Sequence, residues 1–97
     1  MIQHTVAFRL KHPSGSADER EFLDATLEMK DIPGVSNFQR FRQVSKKSSF
    51  TFGLSMEFAD QEAFDGYCSH PVHQNFVENR WIPEVAEFQE IDYVPFG

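Results

Sequence analysis
From Ile2 to Leu10 apolar and polar positions alternate, with Ile2, His4, Val6, Phe8 and Leu10 on one face and Gln3, Thr5, Ala7 and Arg9 on the other. This period of two predicts a half-buried strand and turns the His4 imidazole toward the apolar side. Pro13, Ser14 and Gly15 end the strand, and Ser16 followed three residues later by Glu19 is a capping box that starts a helix near Ala17. Phe22, Leu23, Thr26 and Leu27 recur at helical spacing. The helix is expected to end by Lys30 or Asp31, because Pro33 restricts Ile32 to extended backbone and Gly34 supplies a turn. Val35 to Val44 reads as a second strand, in which Phe38 and Phe41 cannot share a face without a bulge or an edge position. After a polar hairpin, Phe50, Phe52, Leu54, Met56 and Phe58 alternate with Ser49, Thr51, Gly53, Ser55 and Glu57 as a third strand. Asp60 caps a second helix carrying Phe64 and Tyr67. Pro71 breaks that helix near His70 and opens a further turn with Val72, His73, Phe76 and Val77 on one stripe. Pro83 closes it, and Ala86 to Val94 is the last strand, read from Phe88, Ile91 and Tyr93.

The order strand, helix, strand, strand, helix, strand predicts an α+β fold, a ferredoxin-like β-α-β-β-α-β unit with an antiparallel sheet and both helices on one face. Residues 1–97 are expected to form a single domain. The apolar face of the first and third strands should meet Phe22, Leu27, Phe64 and Phe76. The opposite face, with Thr5, Ala7, Thr51 and Ser55, is left open, and a second copy of the sheet is one way to cover it.

Composition sets limits on what such a domain does. A chain of 97 residues that is 40% hydrophobic has apolar bulk for one core and no more. Its formal charge of -6 repels phosphate backbones and anionic lipid, which argues against nucleic-acid and membrane partners. Lys46 and Lys47, set among serines, read as a solvated hairpin tip. Cys68 is the sole cysteine and forms no internal disulfide, which fits a reducing compartment. With no signal-peptide pattern at the start and no membrane-length apolar run, a cytoplasmic protein is expected.

The chemistry is concentrated in Tyr67-Cys68-Ser69-His70-Pro71-Val72-His73, which holds a phenol, a thiol and two imidazoles in seven residues. His4 shares the helix-facing side of the first strand. Together they suggest a pocket between helix and sheet in which an imidazole takes a proton near neutral pH while a tyrosine hydroxyl holds a carbonyl. Val6, Phe8, Phe22, Leu54, Phe76 and Trp81 would supply apolar walls, with His70 beside them. Each residue also has a plainer reading. His70 suits a helix end bonding to backbone, Tyr67 and His4 suit satisfied core groups, Cys68 suits packing, and His12 suits surface. A zinc site from His4, His70 and His73 is the weaker alternative, since Pro71 disturbs the helical spacing of the last two. No phosphate-binding glycine loop, nucleotide fingerprint or nucleophilic triad is present, so no cofactor is expected.

Five segments taken in order resemble the stress-responsive A/B barrel (Dabb) family. They are His4-Thr5-Val6-Ala7-Phe8-Arg9-Leu10, Ile32-Pro33-Gly34-Val35, Phe52-Gly53-Leu54, His70-Pro71-Val72-His73-Gln74-Asn75-Phe76 and Phe88-Gln89-Glu90-Ile91-Asp92-Tyr93. The resemblance implies a homodimer whose sheets pair across a two-fold axis into a dimeric α+β barrel. Plant members that act as polyketide cyclases are similar at the Tyr-x-x-His-Pro-x-His spacing. Carried over, this implies Tyr67 and His73 as the working pair and His4 as a pocket histidine, acting on a small apolar carbonyl-containing ligand by proton abstraction and intramolecular condensation. Phe8, Phe52 and Phe64 are expected to give this chain a different, smaller pocket wall. Two other functions fit the same family: a non-catalytic stress or assembly protein, and a cofactor-independent or haem-linked monooxygenase of the wider superfamily. The enzyme reading requires Tyr67 and His73 to face a solvent-reachable cavity, whereas the structural reading has both filled in and bonded to protein.

Overall fold
The computed structural model describes residues 1–97. Strand β1 spans Ile2–Leu10, and helix α1 spans Ala17–Ala25 and tightens into 3-10 turns over Thr26–Asp31. Strands β2 and β3 span Ser36–Arg42 and Phe52–Phe58. Helix α2 (Gln61–Ser69) is followed by α3 (Pro71–Phe76), a π-helical turn at Val77–Trp81, a last turn at Ile82–Glu84, and strand β4 (Val85–Tyr93). The sheet is antiparallel in the order β2-β3-β1-β4 with the helices on one face, the expected ferredoxin-like α+β architecture. No helix is long and apolar enough to cross a membrane.

Local chemistry explains where the elements start and stop. The Ser16 hydroxyl accepts from the Glu19 amide at 3.2 Å, and the Glu19 carboxylate accepts from the Gly15 amide at 3.0 Å, so the capping box closes one residue earlier than its usual form. Beyond α1 the Thr26 hydroxyl donates to the Leu23 carbonyl at 2.6 Å, and the backbone winds to three residues per turn. Thr26, Met29 and Ile32 are therefore buried at intervals of three, while Leu27, expected in the core at α-helical spacing, stays at its margin. β2 has both features its phenylalanines require. It is an edge strand, and its register shifts between Ser36 and Gln39, where Asn37 has φ 49°. After that bulge Phe41 pairs with Gly53 on the reverse face, while Phe38 packs against the core.

The core lies between β1, β3 and the helices. Phe8, Phe22 and Phe58 are fully buried, and the Phe22 ring packs at a tilt between Phe8 at 5.9 Å and Phe76 at 5.6 Å. The alternation of β3 holds only from Phe52, because Phe50 leaves the helix side and joins Phe41, Ile91 and Tyr93 around a depression of about 470 Å³ on the reverse face. That face is therefore more apolar than Thr5, Ala7 and Ser55 alone suggested. His12 is not plain surface either. Its Nε2 lies 2.7 Å from the Glu84 carboxylate, which also pairs with Arg80, tying the start of the first loop to the last helical turn.

Candidate functional site
Tyr67 lies near the end of α2 and His73 in the middle of α3. An unbroken helix turns about 100° per residue, so six residues would leave these side chains about 120° apart around its axis. The break prevents this. Pro71 excludes helical backbone at His70, which adopts ψ 137°, and α3 restarts in a new direction with Pro71 as its first residue. His70 is used by the restart itself, since its Nδ1 accepts from the Val72 amide at 3.1 Å. The rings of Tyr67 and His73 consequently meet at 4.5 Å.

The His73 Nδ1 lies 3.0 Å from the Cys68 carbonyl oxygen, which only accepts, so the proton sits on Nδ1 and the Nε2 lone pair is left free. Burial holds the His73 pKa below the ordinary histidine value, with a contribution from His4, against the opposing pull of the Cys68 hydrogen bond and Glu90. Burial, then the neighbouring Cys68 and Glu90, push the Tyr67 phenol far above its ordinary range, so it stays protonated and available as a donor. Its hydroxyl makes no hydrogen bond to any protein group. The Cys68 thiol is also raised, by burial first and then by Glu90, Asp65 and Asp92, which makes it a packing group rather than a nucleophile.

His4 reaches the same place from the sheet. It lies directly opposite Asp92 in the β1/β4 register, with Nδ1 2.5 Å from the Asp92 carboxylate and 3.9 Å from that of Glu90. The ring packs on Phe64 at 5.2 Å and Tyr67 at 6.0 Å. His4, Glu90 and Asp92 place one donor atom each within 4.8 Å of one another, the only such grouping in the chain. The zinc trio weighed from sequence does not assemble, because His70 is committed to the α3 cap.

These side chains open on a cavity of about 360 Å³ between helices and sheet. Of the residues singled out from sequence, His4, Val6, Leu54, Tyr67, His73, Phe76 and Trp81 line it. Phe8, Phe22 and His70 do not. The first two are buried behind the Trp81 wall, with Phe8 5.2 Å and Phe22 6.1 Å from the indole, and His70 looks toward Pro33 and Gly34 on the outer side. Phe52 and Phe64 are likewise not part of the wall; Phe64 supports His4 and Tyr67 from behind. Sequence reasoning missed Met56, Val77, Ile82, Phe88 and Glu90 in the lining and Asp92 as the partner of His4. The signal for the last strand was present: Phe88, Glu90 and Asp92 alternate, and Phe88 packs edge-on against Trp81 at 5.5 Å. Carboxylates at two of the three positions made the helix-facing side of β4 look like the solvent side.

Among solved structures, a Dabb family protein with a ferredoxin-like fold from Mesorhizobium loti is 54% identical, with a TM-score of 0.96 over 99% of this chain and 97% of that one. A hydroxynitrile lyase from Passiflora edulis shares the fold at 13% identity, with a TM-score of 0.84 over 98% and 93%. A dimeric ferredoxin-like protein from Thermobifida fusca does so at 17% identity, with a TM-score of 0.79 over 97% and 90%. No curated protein matches the chain. The family model for the stress responsive A/B barrel domain matches residues 2–95, and this chain is a member of that family, Dabb.

Proposed function
We propose that the chain is a homodimer that binds a small apolar carbonyl compound in the cavity between helices and sheet and removes a proton from the carbon beside the carbonyl. One observation carries this reading. Tyr67 and His73 both face an open, mostly apolar cavity, the phenol has no protein partner, and the imidazole has one nitrogen bonded and the other free. In this reaction His73 Nε2 takes the proton, the carbon–hydrogen electron pair moves into the enolate, and the Tyr67 hydroxyl donates to the oxygen where negative charge collects. Attack of the enolate carbon on a second carbonyl of the same molecule would close a ring as that carbonyl's π pair moves onto its oxygen, which takes the proton back from the His73 imidazolium. Loss of water would complete the condensation implied by the family's cyclases. The His4–Asp92 pair holds the opposite wall and keeps that imidazole at a fixed angle to the phenol. The lowered proton affinity of His73 supports a base that is neutral at pH 7.

Exposed Phe41, Ile91 and Tyr93 on the reverse sheet face support the homodimer, because a second copy of that face would cover them. Sedimentation at micromolar concentration tests it, and a monomer there would refute it. The chemistry is tested by NMR, following deuterium uptake from solvent beside the carbonyl of a compact ketone such as phenylacetone. Wild type should accelerate exchange, and His73→Ala should lower the rate about a hundredfold or more. Equal rates for the two proteins would remove His73 from the reaction.

A further inference from the structure
We infer that Glu90 is a charge filter at the mouth of the cavity, so that the ligands admitted are uncharged carbonyl compounds and anionic ones are turned away. The inference rests on the carbonyl-binding reading of the cavity and names the class of compound it takes. Glu90 pairs with Val6 in the β1/β4 register, which puts its side chain on the helix-facing side of the sheet, and that side chain is 50% exposed at the rim. No lysine or arginine lines the cavity, and the one ionic contact of Glu90 is the His4 nitrogen at 3.9 Å, already held by Asp92 at 2.5 Å. Glu90 therefore stands at the rim of a largely apolar chamber that no lysine or arginine lines, while Asp92 behind it is taken up by His4. The influence of Glu90 extends across the space, since its charge acts on Tyr67, Cys68 and His73 alike.

A carboxylate or phosphate entering this chamber would lose much of its water, find no lysine or arginine to pair with, and meet Glu90 at close range. Unit charges roughly 6 Å apart in a protein-like dielectric repel by enough to weaken binding about tenfold to a hundredfold. An uncharged carbonyl compound has no such penalty and keeps the Tyr67 hydroxyl as its hydrogen-bond donor.

The test compares two ligands of the same shape, para-formylbenzamide and para-formylbenzoate, titrated into the full chain with the fluorescence of Trp81, its only tryptophan and a cavity wall, as the readout. Wild type should bind the amide at least about tenfold more tightly than the carboxylate. Glu90→Gln should reduce that ratio to about threefold or less by improving the carboxylate, and added salt should narrow the wild-type ratio. Equal binding of the two by wild type, or an unchanged ratio in Glu90→Gln with a native circular dichroism spectrum, overturns the filter while leaving the carbonyl site standing. Failure of both aldehydes to bind wild type overturns the site and the filter together.

Discussion

Replacing Tyr67 by Phe separates the two readings of the cavity by the sign of its effect on stability. The Tyr67 ring is 3% exposed and packs on Phe58 at 5.1 Å and His73 at 4.5 Å, and Phe retains all of that contact. Only the hydroxyl is lost. A buried tyrosine hydroxyl bonded to protein is worth about 0.5–1.5 kcal/mol, so a structural role predicts a loss of that size. Here the hydroxyl has no protein partner, so its removal leaves no donor or acceptor stranded and relieves part of the cost of holding a polar group in an apolar wall. Urea unfolding of Tyr67→Phe is therefore expected to show stability between unchanged and about 1 kcal/mol above wild type. The same variant should lose about a hundredfold or more in carbon-acid exchange, because a donor aimed at the developing oxyanion is removed. A variant destabilised by more than about 1 kcal/mol, or one that exchanges at the wild-type rate, would refute the reasoning.

Exchange by wild type should follow the neutral form of His73, rising through an acid limb with its midpoint below the ordinary value of 6.5 and staying flat to about pH 9, since Tyr67 remains protonated; a midpoint above 6.5 would contradict its burial. The depressed pKa also makes the folded chain lose stability as pH falls. The His73 contribution is complete above 6.5 and declines from there toward the folded value, because the unfolded chain binds the proton first, and His73→Ala should flatten this part of the stability profile measured by urea unfolding. Asp92→Asn removes a charge-assisted bond to a buried imidazole and should cost about 1–2 kcal/mol in the same assay, whereas Glu90→Gln, with a longer contact and a half-exposed side chain, should cost under about 0.5 kcal/mol. Phe22→Ala, at a fully buried position touching Phe8, Phe76 and Trp81, should cost about 3–5 kcal/mol in denaturant and loosen the wall behind the cavity.

What was legible in the sequence follows from how local each feature is. β1 and the middle of β3 alternate cleanly because one face of each is packed against the helices, and Ser16 and Asp60 mark helix starts through bonds that reach only three residues, as Pro71 does through its fixed φ. The Tyr67 and His73 pairing was legible for the same reason. Long-range consequences were less so. The 3-10 winding after Ala25 moved burial from Leu27 to Met29, a phase change that α-helical spacing does not anticipate and that begins where the Thr26 hydroxyl bonds back to Leu23. Strand β4 concealed Glu90 and Asp92 because acidic residues usually mark the solvent side, and only the pairing of His4 with a residue 88 positions away reveals that here they stand on the helix-facing side of the sheet, Glu90 at the cavity and Asp92 on His4. Phe8 and Phe22 were expected to line the cavity because large apolar residues suit both a cavity wall and the solid core behind it, and sequence does not distinguish the two.

The interruption at His70 and Pro71 makes the phenol and imidazole a self-contained unit. Their spacing is set within seven consecutive residues, while the His4–Asp92 contact joins the two extremities of the chain. Peeling β4 from the sheet would dissolve the second pair and leave the first nearly intact. A frayed molecule would thus keep its reactive groups side by side while losing the wall that selects what reaches them.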